Sequence, residues 1–287
     1  MGISSTRRRV CSLALAAAMV VAATSCQPSP AWLKLKVTGY TPVSYRTVFS
    51  PTSDQGPATV HPLGGGSQEI YAGEEIPSSF TKAGWNHVGD PDSLHGFVVY
   101  PYQAADPANG KMFNVVTPHG RSFDYTHALS PGEEYNNSFA TISPDGLWLV
   151  SGEWDTESRL LVFPMPMLNH SVPAANSPLA LAGTIDLDQP VTDVQGCDFV
   201  DATHLICSAD DTKKELLDVA LSAPLSGGDV TGTVTSLGPL PLLSSCTGTF
   251  EAEGLDFDPT TDLLRVEVIP PSPCFVNTYE YTYRRNH

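Results

Sequence analysis

The chain has 287 residues and carries 31 acidic against 15 basic side chains, a formal charge of −16 at neutral pH. Nucleic acid is excluded as a partner, because phosphate recognition needs clustered Lys and Arg. Charged residues make up 16% of the chain while Gly (23) and Pro (25) are abundant, and without long amphipathic helical patterns this composition points to an all-β fold.

Thr6-Arg7-Arg8-Arg9-Val10-Cys11 is a basic stretch, and residues 13–23 are an apolar run too short to span a bilayer. This order predicts an export signal over residues 1–25. The arginines fit a twin-arginine signal and the general export route equally. Ala23-Thr24-Ser25-Cys26 resembles a bacterial lipobox, which implies an acylated Cys26 that holds the mature chain, palmitate included, at the outer face of the cell membrane. Cleavage nearby, with release of a secreted product, is the other reading. Residues 26–32, with Gln27-Pro28-Ser29-Pro30, form an extended tether, and residues 33–287 form a single domain.

Residues 33–37 and 45–49 alternate as strands, and residues 57–66, ending Gly64-Gly65-Gly66, read as a loop. Four similar units follow. Each is a short apolar strand, a tight Asp/Pro/Gly turn and a second apolar strand: residues 86–93 then 96–100, 139–146 then 147–151, 196–203 then 204–208, and 254–261 then 262–266. Their equivalent points, His87, Thr141, Asp198 and Asp256, recur at roughly 50 to 60 residues, a period of propellers and solenoids. Third strands fit residues 159–163, 215–219 and 278–283, and fourth strands fit 182–186 and 232–236. The expectation is a β-propeller of about five four-stranded blades, with six as the alternative. The last strand ends at the chain terminus, so an N-terminal strand must close the ring.

Four cysteines lie in this domain: Cys197, Cys207, Cys246 and Cys274. Cys197 and Cys207 sit on the two strands of one hairpin, and an odd turn length makes them cross-strand neighbours. Cys246 precedes the first strand of the last unit and Cys274 follows its second, positions that share one face of a blade. The expected pairs are Cys197–Cys207 and Cys246–Cys274. No CxxC spacing supports zinc.

In a propeller, the loops entering each first strand and those joining second to third strands share one face. Here they carry Trp85, Asn86 and His87; Glu133, Glu134, Tyr135, Asn136 and Asn137; Gln195; Glu251 and Glu253; Glu153, Trp154 and Asp155; and Asp210 and Asp211. His87, Asn137, Glu153, Gln195, Asp210 and Glu253 are the candidate ligand-binding residues. Asn137, Glu153 and Glu253 offer the hard oxygen ligands that suit Ca²⁺, while turn capping explains the same residue types without a ligand. His87 with Asp90 or Asp92 has the composition of a general-base pair, and no catalytic residue is assigned. Nucleophile-elbow, phosphate-loop, zinc-protease and dinucleotide motifs are missing.

Glu253-Gly254-Leu255-Asp256-Phe257-Asp258 and Ile142-Ser143-Pro144-Asp145-Gly146 resemble blade motifs of secreted and periplasmic β-propellers. With its Arg-rich, Ala-rich leader the chain resembles actinobacterial propeller lipoproteins. It is more distantly similar to the gluconolactonase and senescence-marker propellers. That likeness implies six blades and an axial Ca²⁺ held by Glu, Asn and Asp, of which only the acid-Gly step Glu253-Gly254 can be placed here. Two function classes follow. One is an envelope-bound monomeric module for a small molecule, a glycan or an envelope protein. The other is a Ca²⁺-dependent, lactonase-like hydrolase. The first is favoured, because no constellation has catalytic spacing.

Overall fold

The computed structural model describes residues 35–287 except Ala174. The export signal, Cys26 and the tether lie outside the described residues. Twenty strands follow in chain order: β1 (Tyr40–Phe49), β2 (Gly56–Val60) and β3 (Gln68–Ala72); β4 (Trp85–Val88), β5 (Asp92–Leu94), β6 (Phe97–Ala104), β7 (Lys111–Val116) and β8 (Ser122–His127); β9 (Ala140–Ile142), β10 (Trp148–Ser151), β11 (Thr156–Pro164), β12 (Ser177–Pro178) and β13 (Gly183–Thr192); β14 (Val194–Asp201), β15 (His204–Ala209), β16 (Glu215–Leu221) and β17 (Val230–Pro239); and β18 (Glu251–Asp258), β19 (Leu263–Ile269) and β20 (Asn277–Arg285).

The innermost strands pack in sequence around a closed circuit, β2 to β5, β9, β14, β18 and back to β2. From each of them an antiparallel sheet runs outward, as in β14-β15-β16-β17 and β18-β19-β20-β1. A ring of outward-running sheets around one axis is a β-propeller. The group that begins at β2 stops at the two-stranded ribbon β2-β3, so it falls short of the four strands expected of a blade. β1 closes the ring, pairing with β20 from Tyr40↔Arg285 to Phe49↔Asn277.

Burial follows position in the sheet. β14 and β18 are covered along nearly their whole length, which is why they read as continuous apolar and small-residue runs. The outer β17 alternates between covered and solvated residues. Residues 57–60, read as loop, belong to the inner β2: Gly-Pro-Ala-Thr is buried on both faces, so no alternation marks it as a strand. In the next group the inner strand is split into β4 and β5, both paired with β6. The parallel bridge Asp90↔Phe139 then sets Asp92, not His87, level with Thr141. The fourth strands at 182–186 and 232–236 fall in β13 and β17, and these two outer strands pair in parallel, joining two blades into one eight-stranded sheet.

Both disulfides form as expected. Cys197 and Cys207 are directly opposite on β14 and β15, with Cα atoms 4.0 Å apart. Cys246–Cys274 spans 28 residues of sequence and ties the approach to β18 to the segment after β19. Each cross-link of this kind contributes about 2–4 kcal/mol.

Candidate functional site

The axis has two openings. The first lies where the chain enters the inner strands, a cavity of about 500 Å³ lined by Gln55, Asn86, His87, Gln103, Glu134, Tyr135, Asn136, Trp154, Gln195, Glu251 and Glu253. The second lies where the inner strands end, a cavity of about 450 Å³. Between them, at the level of Gly56, Gly196 and Gly254, sits Asp90, 1% exposed. Those glycines leave room for its carboxyl, which a Cβ on any of the three would overlap. Its Oδ2 accepts from the Leu255 amide at 3.1 Å, and its Oδ1 has no hydrogen-bond partner among the described residues. Burial pushes the Asp90 carboxyl well above the usual range, because a charge is costly to hold away from water.

In the first cavity, Glu253 supplies the innermost carboxyl. It is 3% exposed, and no described side chain or amide donates to it. Burial, then the charges of Glu251, Asp54 and Asp210, push it well above the carboxylate range. In its protonated form such a carboxyl donates as well as accepts. Burial lowers His87, which lines the same cavity. Two acceptors of the same lining, Gln103 Oε1 and Asn136 Oδ1, are buried without a partner. Tyr135 and Trp154 supply half-buried aromatic surface. No Lys or Arg lines the cavity.

Of the six candidates, the structure brings His87, Gln195 and Glu253 together here. The other three serve elsewhere. Asn137, fully buried, donates to the Tyr102 and Met112 carbonyls at 3.3 and 3.1 Å and accepts from the Ser151 hydroxyl at 2.6 Å. Glu153 pairs with Arg159 at 2.8 Å and accepts from the Glu134 amide at 2.9 Å. Asp210 pairs with Lys214 at 2.6 Å and accepts from the Ala252 amide at 2.6 Å. Among the described residues, no group of three or more His, Cys, Asp or Glu side chains is arranged to hold a metal ion.

The loop reading reached most of this cavity. It missed Gln55 and Gln103. Gln103 lies on β6 opposite His87, a position on the second strand and not in an entry loop. The second cavity was missed altogether. It is floored by Asp92, Asp198 and Asp256. Their carboxylates tie each inner strand to the next: Asp92 accepts from the Ile142 amide at 2.6 Å, Asp198 from the Phe257 amide at 2.7 Å, and Asp256 from the Thr59 amide at 2.7 Å.

The sequence matches no protein-family model and no curated protein. The structure is similar to several solved ones. A gluconolactonase of Xanthomonas campestris is 14% identical, with 78% of this chain and 64% of that chain covered at a TM-score of 0.37. The WD40 repeats of RRP9 are 10% identical, with 83% and 64% covered at 0.37. The arabinanase Arb43A of Bacillus subtilis is 12% identical, with 87% and 94% covered at 0.38. The chain thus spans 64% of the length of the first two. At these levels the likeness concerns overall shape, and no activity is drawn from it. The strand circuit itself defines the class: a β-propeller with a polar cavity at one end of its axis and an apolar-walled one at the other.

Proposed function

We propose that this chain is an exported, Cys26-anchored β-propeller that binds an uncharged, hydroxyl-rich ligand, such as a neutral saccharide, in the cavity around Glu253. The observation that carries the reading is that two buried acceptors without a partner, Gln103 Oε1 and Asn136 Oδ1, line the same cavity as the buried Glu253 carboxyl. Buried acceptors left unpaired cost about 1–3 kcal/mol each, and a ligand rich in O–H groups offsets that cost. Five amides line the cavity. Each both donates and accepts, as a hydroxyl does, whereas a cation offers donors only and an anion finds no Lys or Arg. Tyr135 and Trp154 give apolar faces against which a sugar ring can stack.

Calorimetry against a panel of neutral mono- and oligosaccharides tests the proposal. A neutral member is expected to bind more tightly than the matching uronic acid or amino sugar. Trp154→Ala, at a half-buried position, is expected to weaken binding roughly ten-fold. If no neutral saccharide binds, or if Trp154→Ala changes nothing, the reading is wrong.

The export half rests on the leader and is supported by the two disulfides, which persist in oxidising compartments. Labelling with a palmitate analogue is expected in the wild type and not in Cys26→Ala. Equal labelling of both would contradict lipidation at Cys26.

A further inference from the structure

The first blade stops after two strands, and its outer side is open. β3 pairs with β2 alone among the described residues. The Thr59 amide turns toward the axis, where it donates to Asp256 at 2.7 Å. Facing residues of an antiparallel ladder alternate between bonded and non-bonded pairs. Thr59↔Glu69 and Pro57↔Tyr71 are therefore the non-bonded pairs of β2 and β3, and Glu69 and Tyr71 turn their amides and carbonyls to the free edge. Their side chains meet the last blade, Glu69 with Arg46 at 2.6 Å and Tyr71 with Glu280 at 2.7 Å. Successive side chains alternate across a strand, which sets Ile70 and Ala72 toward the following blade.

Two cavities, of about 480 and about 380 Å³, lie between that face and the blade of β6, β7 and β8. They share Tyr100 and Val116 as walls, so they form one groove. Val98 and Ile70 line one part of it, and Phe80, packed edge-on to Tyr102, lines the other. This is the space that the outer strands of a four-stranded blade would fill. Its charge has one sign. No Lys, Arg or His lines either cavity, and Glu75, just beyond β3, lines the larger. Asn114, also in that lining, donates to Asp124 at 2.6 Å. Among the described residues, neither Glu75 nor Asp124 is ion-paired.

We infer that β3 is a docking edge for an extended segment of another protein, one with apolar side chains at alternate positions and a Lys or Arg at the end that reaches Glu75. The segment pairs with the amides and carbonyls of Glu69 and Tyr71 as a third strand, and its alternate side chains enter the groove against Val98, Tyr100 and Val116. In this mode main-chain hydrogen bonds supply affinity and the groove selects side chains. Charge chooses among the occupants. A second copy of this chain brings a further formal charge of −16 to an edge already rich in uncompensated acid, whereas a cationic segment complements it.

The test uses the full chain and a synthetic peptide in which valine alternates with threonine and each end carries lysine. Fluorescence polarisation measures affinity, and hydrogen exchange follows the amides of β3. The lysine peptide is expected to bind roughly ten-fold more tightly than the same peptide with glutamate at its ends. N-methylation of its backbone should abolish binding, because it removes the main-chain donors. On binding, the Glu69 and Tyr71 amides should become protected, while the Ile70 amide, already bonded to β2, changes little. Glu75 is exposed, so Glu75→Lys does not put folding at stake, and it should reverse the preference between the two peptides. No measurable binding, equal affinity for both peptides, binding that survives N-methylation, or a preference unchanged in Glu75→Lys would overturn the inference. So would protection of the Glu69 and Tyr71 amides without peptide. Protection that rises with protein concentration would assign the edge to a second copy, and protection independent of concentration would assign it to a segment of the same chain.

Discussion

Alanine at Gly254 or at Gly196 is expected to destabilise the fold by about 3 kcal/mol or more, the upper range for overpacking a filled interior. A Cβ at Gly254 would overlap the Asp90 carboxyl and stand 2.5 Å from the Gln55 carbonyl oxygen. One at Gly196 would overlap the same carboxyl and stand 2.7 Å from the Gly254 Cα. These are backbone and axial neighbours with no room to retreat, since three inner strands meet there. Urea unfolding of each single variant measures the loss. A double-mutant cycle with Asp90→Ala apportions it. Removing the carboxyl should recover only part of the loss at either position, because the Gly254 Cα remains in the way at Gly196 and the Gln55 carbonyl at Gly254. A Gly254→Ala protein as stable as the wild type would mean that the inner strands do not meet at Asp90.

The second large effect is on pH. Most soluble proteins are at their most stable between about pH 5 and 8, and this one is expected to weaken steadily across that window. Burial, its leading cause, pushes Glu157 up to about 7, and burial likewise pushes Asp54 and Asp92 up to about 6. Asp90, Asp198, Glu253 and Glu267 are also raised well above the usual range, burial again leading. For a carboxyl raised on folding, the stabilising proton is fully present below the unfolded value near 4. It is lost as pH rises through the folded value. Each unit of displacement is worth 1.36 kcal/mol, so Glu157 alone accounts for about 3 kcal/mol between pH 4.5 and 8.

Among the carboxyls the opposite case is confined to lower pH, and His87, lowered by burial, works against the trend nearer neutrality. At Glu133, burial is outweighed by the His127 and Ser130 hydrogen bonds and by Lys111, which hold it at about 2. At Asp201, burial is outweighed by His204, the Thr203 amide and Arg285, with the same result. These groups stabilise the fold above pH 4 and release that stabilisation only as pH falls toward 2. The melting temperature should therefore peak near pH 4.5 to 5 and fall by roughly 10 °C by pH 8, at a few degrees per kcal/mol for a chain of this size. Glu157→Gln keeps an acceptor for the Glu153 amide, 2.6 Å away, and should flatten the curve between pH 5 and 8. A melting temperature that rises from pH 5 to pH 8 would contradict the burial of these carboxyls.

The sequence made the blades readable where the chain alternates or repeats. Ser143-Pro144-Asp145-Gly146 and Asp258-Pro259-Thr260-Thr261 mark tight turns through their own side-chain and backbone hydrogen bonds, such as Asp145 to Ser143 at 2.6 Å and Asp258 to the Thr260 amide at 2.9 Å. Turn chemistry of this kind is local and needs no tertiary context. β2 was hidden for the opposite reason. Gly56-Pro57-Ala58-Thr59 is small, buried and short, and nothing but its place in the ring makes it a strand. The same holds for Asp92. It is set level with Thr141 by the Asp90↔Phe139 bridge, a long-range contact that a scan for similar segments shifted onto His87.

For the site, loop positions were legible and side-chain direction was not. His87, Gln195 and Glu253 reach the first cavity because they stand at or beside the entry to inner strands. Asn137 stands at an equivalent entry but turns into the sheet, where two carbonyls and Ser151 hold it. Glu153 is drawn away by Arg159, six residues on. Asp198 and Asp256 were read only as repeat points and Asp92 only as a partner for His87, since the role of these aspartates as ties between successive inner strands exists only in the closed ring.

The most direct test of the account is a ¹H–¹⁵N correlation map with the tightest neutral saccharide of the panel. The side-chain amides of Gln55, Asn86, Gln103, Asn136 and Gln195 and the indole of Trp154 all report from the first cavity. These signals are predicted to shift together, in proportion to occupancy, while the backbone amides of Leu63, Leu94 and His95 at the far end stay in place. Saccharide-induced shifts that gather at the far end, or that scatter over the outer strands and leave those amides unmoved, would contradict an axial site around Glu253.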